Sequence, residues 1–184
     1  MRPTWVLLVL IAAAAACGNG PVATTPPPPS PPSTPAPAPS ALATPAPVTF
    51  VEAAEIVERA VRGRVTNLQL YGPQPPVVWL AEVLGRDGTL TDLRVSATTG
   101  EVSGKQVQDT EAAAGAARLM AADRVGAWGV WRATSGAVPG SWITAAVLDE
   151  EHGTVVWEVE AVDPARKVRK IEVNAATGAA RVLL

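Results

Sequence analysis

The chain offers few groups that could do chemistry. His152 is the sole histidine of the 184 residues and sits in Asp149-Glu150-Glu151-His152-Gly153. Oxygen and nitrogen ligands in that mixture could suit a divalent metal. Neighbouring residues on a tight turn cannot all point inward, however, and Glu151-His152-Gly153 is also what a solvated hairpin tip needs, so no metal site is expected. Arg166-Lys167 and Arg169-Lys170 place four cations in five positions. Anionic lipid or wall polymer would be attracted to such a patch, but alternation along a strand divides these side chains between two faces, and Val168 interrupts them. They are expected instead to protect an edge strand by charge. No Gly-x-Ser-x-Gly elbow, His-Glu-x-x-His pair or phosphate loop occurs. With one His and one Cys, nucleophilic catalysis is not expected, nor is any cofactor. Net charge is −2 and charged residues are 17%, which removes the basic stripe that nucleic-acid binding requires.

Tryptophan is the residue type that stands out, with six in the chain. Trp79 and Trp157 each end a Val-Val-Trp triplet, and that repeated placement assigns them to the core. Trp128, Trp131 and Trp142 occupy a stretch with no counterpart earlier in the chain. Because Trp is enriched at binding hot spots, these three are the candidates for a partner surface. The competing role is filling the gap between helix and sheet.

The elements that must position these residues lie in Val48–Leu184, which holds 17 acids, 14 bases and five of the Trp. Val77-Val78-Trp79 recurs as Val155-Val156-Trp157, and Val95-x-Ala97-x-Thr99-Gly100 as Val173-x-Ala175-x-Thr177-Gly178. Both recurrences have an offset of 78, with eight identities over the 24 positions Val77–Gly100. A duplicated unit accounts for this. Thr49 and Glu52 form a capping box, and Ala53, Ile56, Val57, Ala60 and Val61 supply a helical apolar face. Asp109 or Thr110 caps a second helix faced by Ala112, Ala116, Leu119 and Met120, with Gly115 weakening it. Strands follow in each copy: Val77–Leu84, a turn at Arg86-Asp87-Gly88, Leu93–Ala97 and a short strand from Glu101; then Val155–Val162, a turn at Asp163-Pro164, Val168–Ala175 and Arg181–Leu184. The second copy has a longer middle that accommodates Ala127–Ala133 and an extra strand, Ser141–Leu148. The expected fold class is α+β, two repeated units of a helix on a small antiparallel sheet, at 48–105 and 106–184.

Before this part come an address and a tether. Arg2 precedes an apolar run, Trp5–Ala16, whose 12 residues would span about 18 Å as a helix. That falls short of the ~30 Å hydrocarbon core, so residues 1–16 read as a signal peptide. Ala15-Ala16-Cys17 resembles the lipobox of bacterial lipoproteins, which implies acylation of Cys17 and membrane attachment through that lipid. Ala14 departs from the large aliphatic usual there, and Ala14-Ala15-Ala16 also satisfies the rule for plain secretion. In residues 17–47, the stretch from Pro21 to Pro47 carries 12 of the 18 prolines, and no charged residue occurs. This composition gives a disordered, polyproline-rich linker.

The helix, the strand opening on Trp79 or Trp157, and the closing strand ending in Val-x-Ala-x-Thr-Gly resemble the PepSY domain. Asn174 fits the residue usual before the Ala; Ser96 and Ala180 depart from the pattern. The resemblance implies an extracytoplasmic, non-catalytic module that binds an extracytoplasmic protein or peptide, with peptidase regulation as one form. A structural or sensory envelope component is the alternative. The expected location is the outer face of the cytoplasmic membrane, or secretion if Cys17 is not acylated.

Overall fold

The computed structural model describes residues 44–72 and 76–183. The expected signal peptide, Cys17 and nearly all of the proline-rich linker lie outside the described residues.

Helix α1 (Phe50–Val61) begins where the capping box places it: the Thr49 hydroxyl accepts from the Glu52 amide, and the Glu52 carboxylate accepts from the Thr49 amide at 2.8 Å. Four strands follow, β1 (Gly63–Tyr71), β2 (Val78–Gly85), β3 (Leu90–Ser96) and β4 (Val102–Val107). Two helices come next, α2 (Thr110–Ala122) and α3 (Gly126–Ala137), then β5 (Trp142–Glu151), β6 (Thr154–Val162), β7 (Val168–Asn174) and β8 (Ala180–Leu183). The expected α+β class is observed. The two sets of strands form one sheet, ordered β4-β3-β2-β1-β5-β6-β7-β8 and antiparallel throughout. The seam is the β1–β5 pairing, Asn67 with Val147, Leu68 with Ala146 and Gln69 with Ala145.

One core serves the whole sheet. Leu68, Trp79, Val83, Val95, Ala146, Trp157, Val159, Ile171 and Val173 project to one face, where α1, α2 and α3 bury Val57, Met120 and Val130 among them. The period-2 alternation of β2 and β6 sends the other residues to the opposite, uncovered face.

Local geometry recurs at the offset seen in the sequence. Thr66 and Thr144 each break the strand register with a bulge, and each hydroxyl donates to a carbonyl at 3.3 Å, that of Glu82 and of Glu160. The Ala97 amide donates to the Val77 carbonyl and the Ala175 amide to that of Val155, both at 3.0 Å. In the closing turns the Ser96 hydroxyl and the Asn174 carboxamide oxygen each accept from two following amides, and Gly100 and Gly178 both take φ +75. That left-handed conformation is one glycine adopts without strain.

Two expectations are corrected. The helix capped by Asp109 forms, but only Met120 is buried on it, because alanine side chains offer little apolar area. The helix that covers β6, β7 and β8 is α3, which buries Ala127, Val130 and Thr134. The cationic run does not lie on an edge strand either, since β7 is paired on both sides by β6 and β8. Two of its four charges are matched locally: Arg169 pairs with the buried Asp163 at 2.8 Å, and Lys170 with Glu160 at 3.7 Å.

Candidate interaction surface

The site is built on α3, whose first turn is held by Asp123. The side chain of Asp123 is fully buried. Its Oδ1 accepts from the Val125 and Gly126 amides at 3.1 and 3.2 Å and from the Trp157 indole Nε1 at 3.1 Å. Arg64, from the start of β1, donates to its Oδ2. A helix start, the central core tryptophan of β6 and the first strand therefore meet at one carboxylate. Sequence reasoning missed Asp123: its partners Arg64 and Trp157 lie 59 and 34 residues away, and no local pattern marks such contacts.

With Ala127, Val130 and Thr134 turned inward at i, i+3 and i+7, positions 128 and 131 fall on a neighbouring face. Trp128 is 56% exposed and Trp131 38%. Their rings stack on each other, centroids 4.8 Å apart and planes 29° apart. Two large aromatic rings in water lose the stabilisation that burial would give, about 1.5–3 kcal/mol for a side chain of this kind. Trp142 belongs to the sheet, as the first residue of β5, paired with Val162 and half-buried. The structure thus brings Trp128 and Trp131 together and places Trp142 on another element. Trp79 and Trp157 are core residues, 1% and 0% exposed. His152 stands in the β5–β6 turn with its side chain in solvent, near Glu151. Among the described residues no group of three His, Cys, Asp or Glu is arranged to hold a metal ion. No helix among them is long and apolar enough to cross a membrane.

The uncovered face of the sheet is polar. Along one transverse row stand Gln106, Asp92, Glu82, Asn67, Val147, Glu158, Glu172 and Arg181, each opposite the next across adjacent strands. Partial burial pushes the Glu82 carboxyl above its ordinary 4.5, and the facing Asp92 pushes it further. Glu158 is raised as well, first by burial and then by Asp149 and Glu151. At the C-terminal end of α1, Glu58 is raised by burial against the opposing pull of the Val65 amide and Arg64.

These three carboxyls hold their protons more tightly in the folded chain than in the unfolded one. Stability is therefore expected to rise as pH falls from neutral toward 4.5. Asp163 has the opposite sign, held low by the Lys167 amide and Arg169, and its contribution is lost only below 3.8. Urea midpoints at pH 7 and pH 5 check this. The midpoint should be higher at pH 5, and the rise should be smaller in Glu82→Gln; a midpoint that falls between pH 7 and 5 would contradict the assignment.

Residues 130–181 match the family model described as peptidase propeptide and YPEB domain, PepSY. The matched stretch lies in the C-terminal half and covers less than a third of the chain. The PepSY match runs from the middle of α3 through β5, β6 and β7 into β8, and so includes Trp131, Trp142 and Trp157. A crystal structure of a candidate lipoprotein from Clostridium difficile 630 is similar, with 16% identity over 77% of this chain and 95% of that one and a TM-score of 0.47. No curated protein matches the sequence.

Proposed function

We propose that this chain is an exported, non-catalytic module that binds a protein or peptide at the cell envelope through Trp128 and Trp131, with restraint of a peptidase as the form the family name suggests. The observation that carries the reading is the stacked, exposed indole pair on the helix that leads into the PepSY match. Exposed Trp pairs of this kind supply large rigid contact area at small entropic cost, which is how aromatic hot spots work. The bonds that recur at an offset of 78 support two PepSY-like units, 48–105 and 106–184, sharing one sheet. The lipobox-like Ala15-Ala16-Cys17 supports attachment to the outer face of the cytoplasmic membrane through a lipid on Cys17, with the proline-rich residues up to Pro47 as a spacer that could reach about 90 Å.

The test is the double substitution Trp128→Ser, Trp131→Ser. Away from the core it should change stability by less than about 1 kcal/mol. It should also abolish inhibition of envelope peptidase activity by the added protein, and weaken recovery of the partner that the unsubstituted chain retains from solubilised membranes. A collapse of the melting transition would make the pair structural and end the proposal. For the anchor, the mass of the mature N-terminus decides: a diacylated Cys17 is expected, and an unmodified start would reduce attachment to secretion.

A further inference from the structure

The sheet ends in two free edges, β4 and β8. A free edge is a template for another strand unless something blocks it. β4 is blocked twice. Its register against β3 is broken by a bulge at Gly104, which takes φ +62, and the following Lys105 stands opposite the buried Leu93, so a charge lies on the helix-covered side of the sheet. β8 is the matching strand 78 residues on and has neither device. Its pairing with β7 is unbroken from Ala180 to Leu183, and Val182 and Leu183 stand where β4 has Gly104 and Lys105.

What β8 offers can be read from its ladder. The Asn174 amide donates to the Ala179 carbonyl at 2.9 Å, so that pair is a bonded one. Alternation along an antiparallel ladder then turns the amide and carbonyl of Ala180 and of Val182 away from β7, toward the free edge. Both side chains lie on the helix side, opposite the buried Val173 and Ile171, and Val182 is 37% exposed. Between them Arg181 lies on the other face, where it ends the polar row that includes Glu158 and Glu172. One of its nitrogens pairs with Glu172, while the side chain stays 72% exposed. The guanidinium therefore brings further donors to the edge.

The geometry points to β8 as the docking edge for an extended peptide, laid antiparallel to it, with an acidic residue opposite Arg181 and β-branched residues opposite Val182 and Ala180. Backbone bonds to Ala180 and Val182 supply the affinity, and alternate side chains the specificity, as in strand addition generally. Charge complementarity selects the acid, which would meet Arg181 from the side that Glu172 leaves open. The same charge argues against a second copy as the occupant. Two β8 strands with their faces matched and Ala180 opposite Val182 would set Arg181 opposite itself. The inference rests on the peptide-binding reading above but uses a sheet edge rather than Trp128 and Trp131, so the two can fail separately.

The experiment uses the full chain, isotope-labelled, and a ten-residue probe of alternating valine and glutamate. The probe should shift the amides of Ala180 and Val182 and slow their hydrogen exchange. A probe of alternating valine and lysine should bind about tenfold more weakly, since an attraction at Arg181 becomes a repulsion. Arg181→Glu should reverse that preference. Methylating the backbone nitrogen of every valine in the probe should abolish binding, whereas methylating that of every glutamate, which faces away from β8, should preserve it. Val182→Gly with Leu183→Lys copies the β4 sequence onto β8 and should block the probe. Equal affinity for the two probes, or equal loss from the two methylations, overturns the proposal, as do shifts at Ser103 and Lys105 in place of Ala180 and Val182. Shifts of Ala180 and Val182 that grow with chain concentration in the absence of probe would assign the edge to a second copy and overturn the peptide. Shifts confined to Trp128 and Trp131 would overturn it while leaving the peptide-binding reading in place. Probe affinity should be unchanged in Trp128→Ser, Trp131→Ser, and its loss there would also overturn a separate site on β8.

Discussion

Trp157→Ala is expected to cost about 4 kcal/mol and to unfold the entire described domain in one transition. The indole is fully buried, and truncation of a buried Trp costs about 3–5 kcal/mol through lost transfer energy and the cavity left behind. Trp79→Ala should be as severe, since that ring is also buried, packs edge-on against Phe50 with centroids 6.2 Å apart and donates to the Val48 carbonyl at 2.9 Å. Against a total stability of about 5–15 kcal/mol, either change leaves the fold marginal. The informative feature is cooperativity. The halves meet along β1 and β5, where Leu68 and Ala146 are both fully buried, and α1 touches α3. Loss of either tryptophan should therefore lower one urea transition, seen alike by fluorescence and circular dichroism. A biphasic curve in Trp157→Ala, with half the signal retained, would show that the first four strands fold alone.

What was legible in the sequence was what neighbours in the chain decide. The Thr49–Glu52 box, the turn after Arg86 and the Thr-Gly turns at 99–100 and 177–178 are short-range motifs, and each forms in place. The offset of 78 was also legible, because two Val-Val-Trp triplets and two Thr-Gly turns in one register are visible without coordinates. The seam was not: the pairing of Asn67 with Val147 depends on which strand ends are left free after both hairpins close, and no residue announces it. The helices divide in the same way. The segment capped by Asp109 is legible and forms, yet it stays mostly exposed, whereas α3, with Gly126, Gly129 and Gly136, has poorer intrinsic propensity and is entered through a turn that the Asp123 carboxylate holds. Cations clustered on β7 suggested an edge; their partners, Asp163 and Glu160, become evident only when β6 lies alongside. Of the three candidate tryptophans, sequence could not separate Trp142 from the other two, because the distinction is one of helix face against strand position.

Asp123→Ala should be nearly as damaging as the loss of a core tryptophan, about 3 kcal/mol, although it removes only a small side chain. Three separate losses combine. The turn entering α3 loses the acceptor of its Val125 and Gly126 amides, at a cost of about 1 kcal/mol. The Trp157 Nε1 donor, in a fully buried ring, is left unpaired at a cost of about 1–3 kcal/mol. The ion pair with Arg64 adds little, because the arginine side chain is 44% exposed and solvent screens it. Asp123→Asn separates these contributions. A carboxamide oxygen can still accept from the Val125 and Gly126 amides and from the indole, so the cost should fall to about 1 kcal/mol. The measurements are urea denaturation and the indole proton resonance of Trp157, which should remain sharp and protected from exchange in Asp123→Asn but not in Asp123→Ala. A second arm asks whether Arg64 matters beyond its charge: Arg64→Ala should cost under about 1 kcal/mol alone and nearly nothing on top of Asp123→Ala. If Arg64→Ala proved as costly as Asp123→Ala, the hub would be an ion pair first and a turn acceptor second, and the positioning of α3, with its exposed tryptophans, would depend on β1 rather than on the turn that precedes it.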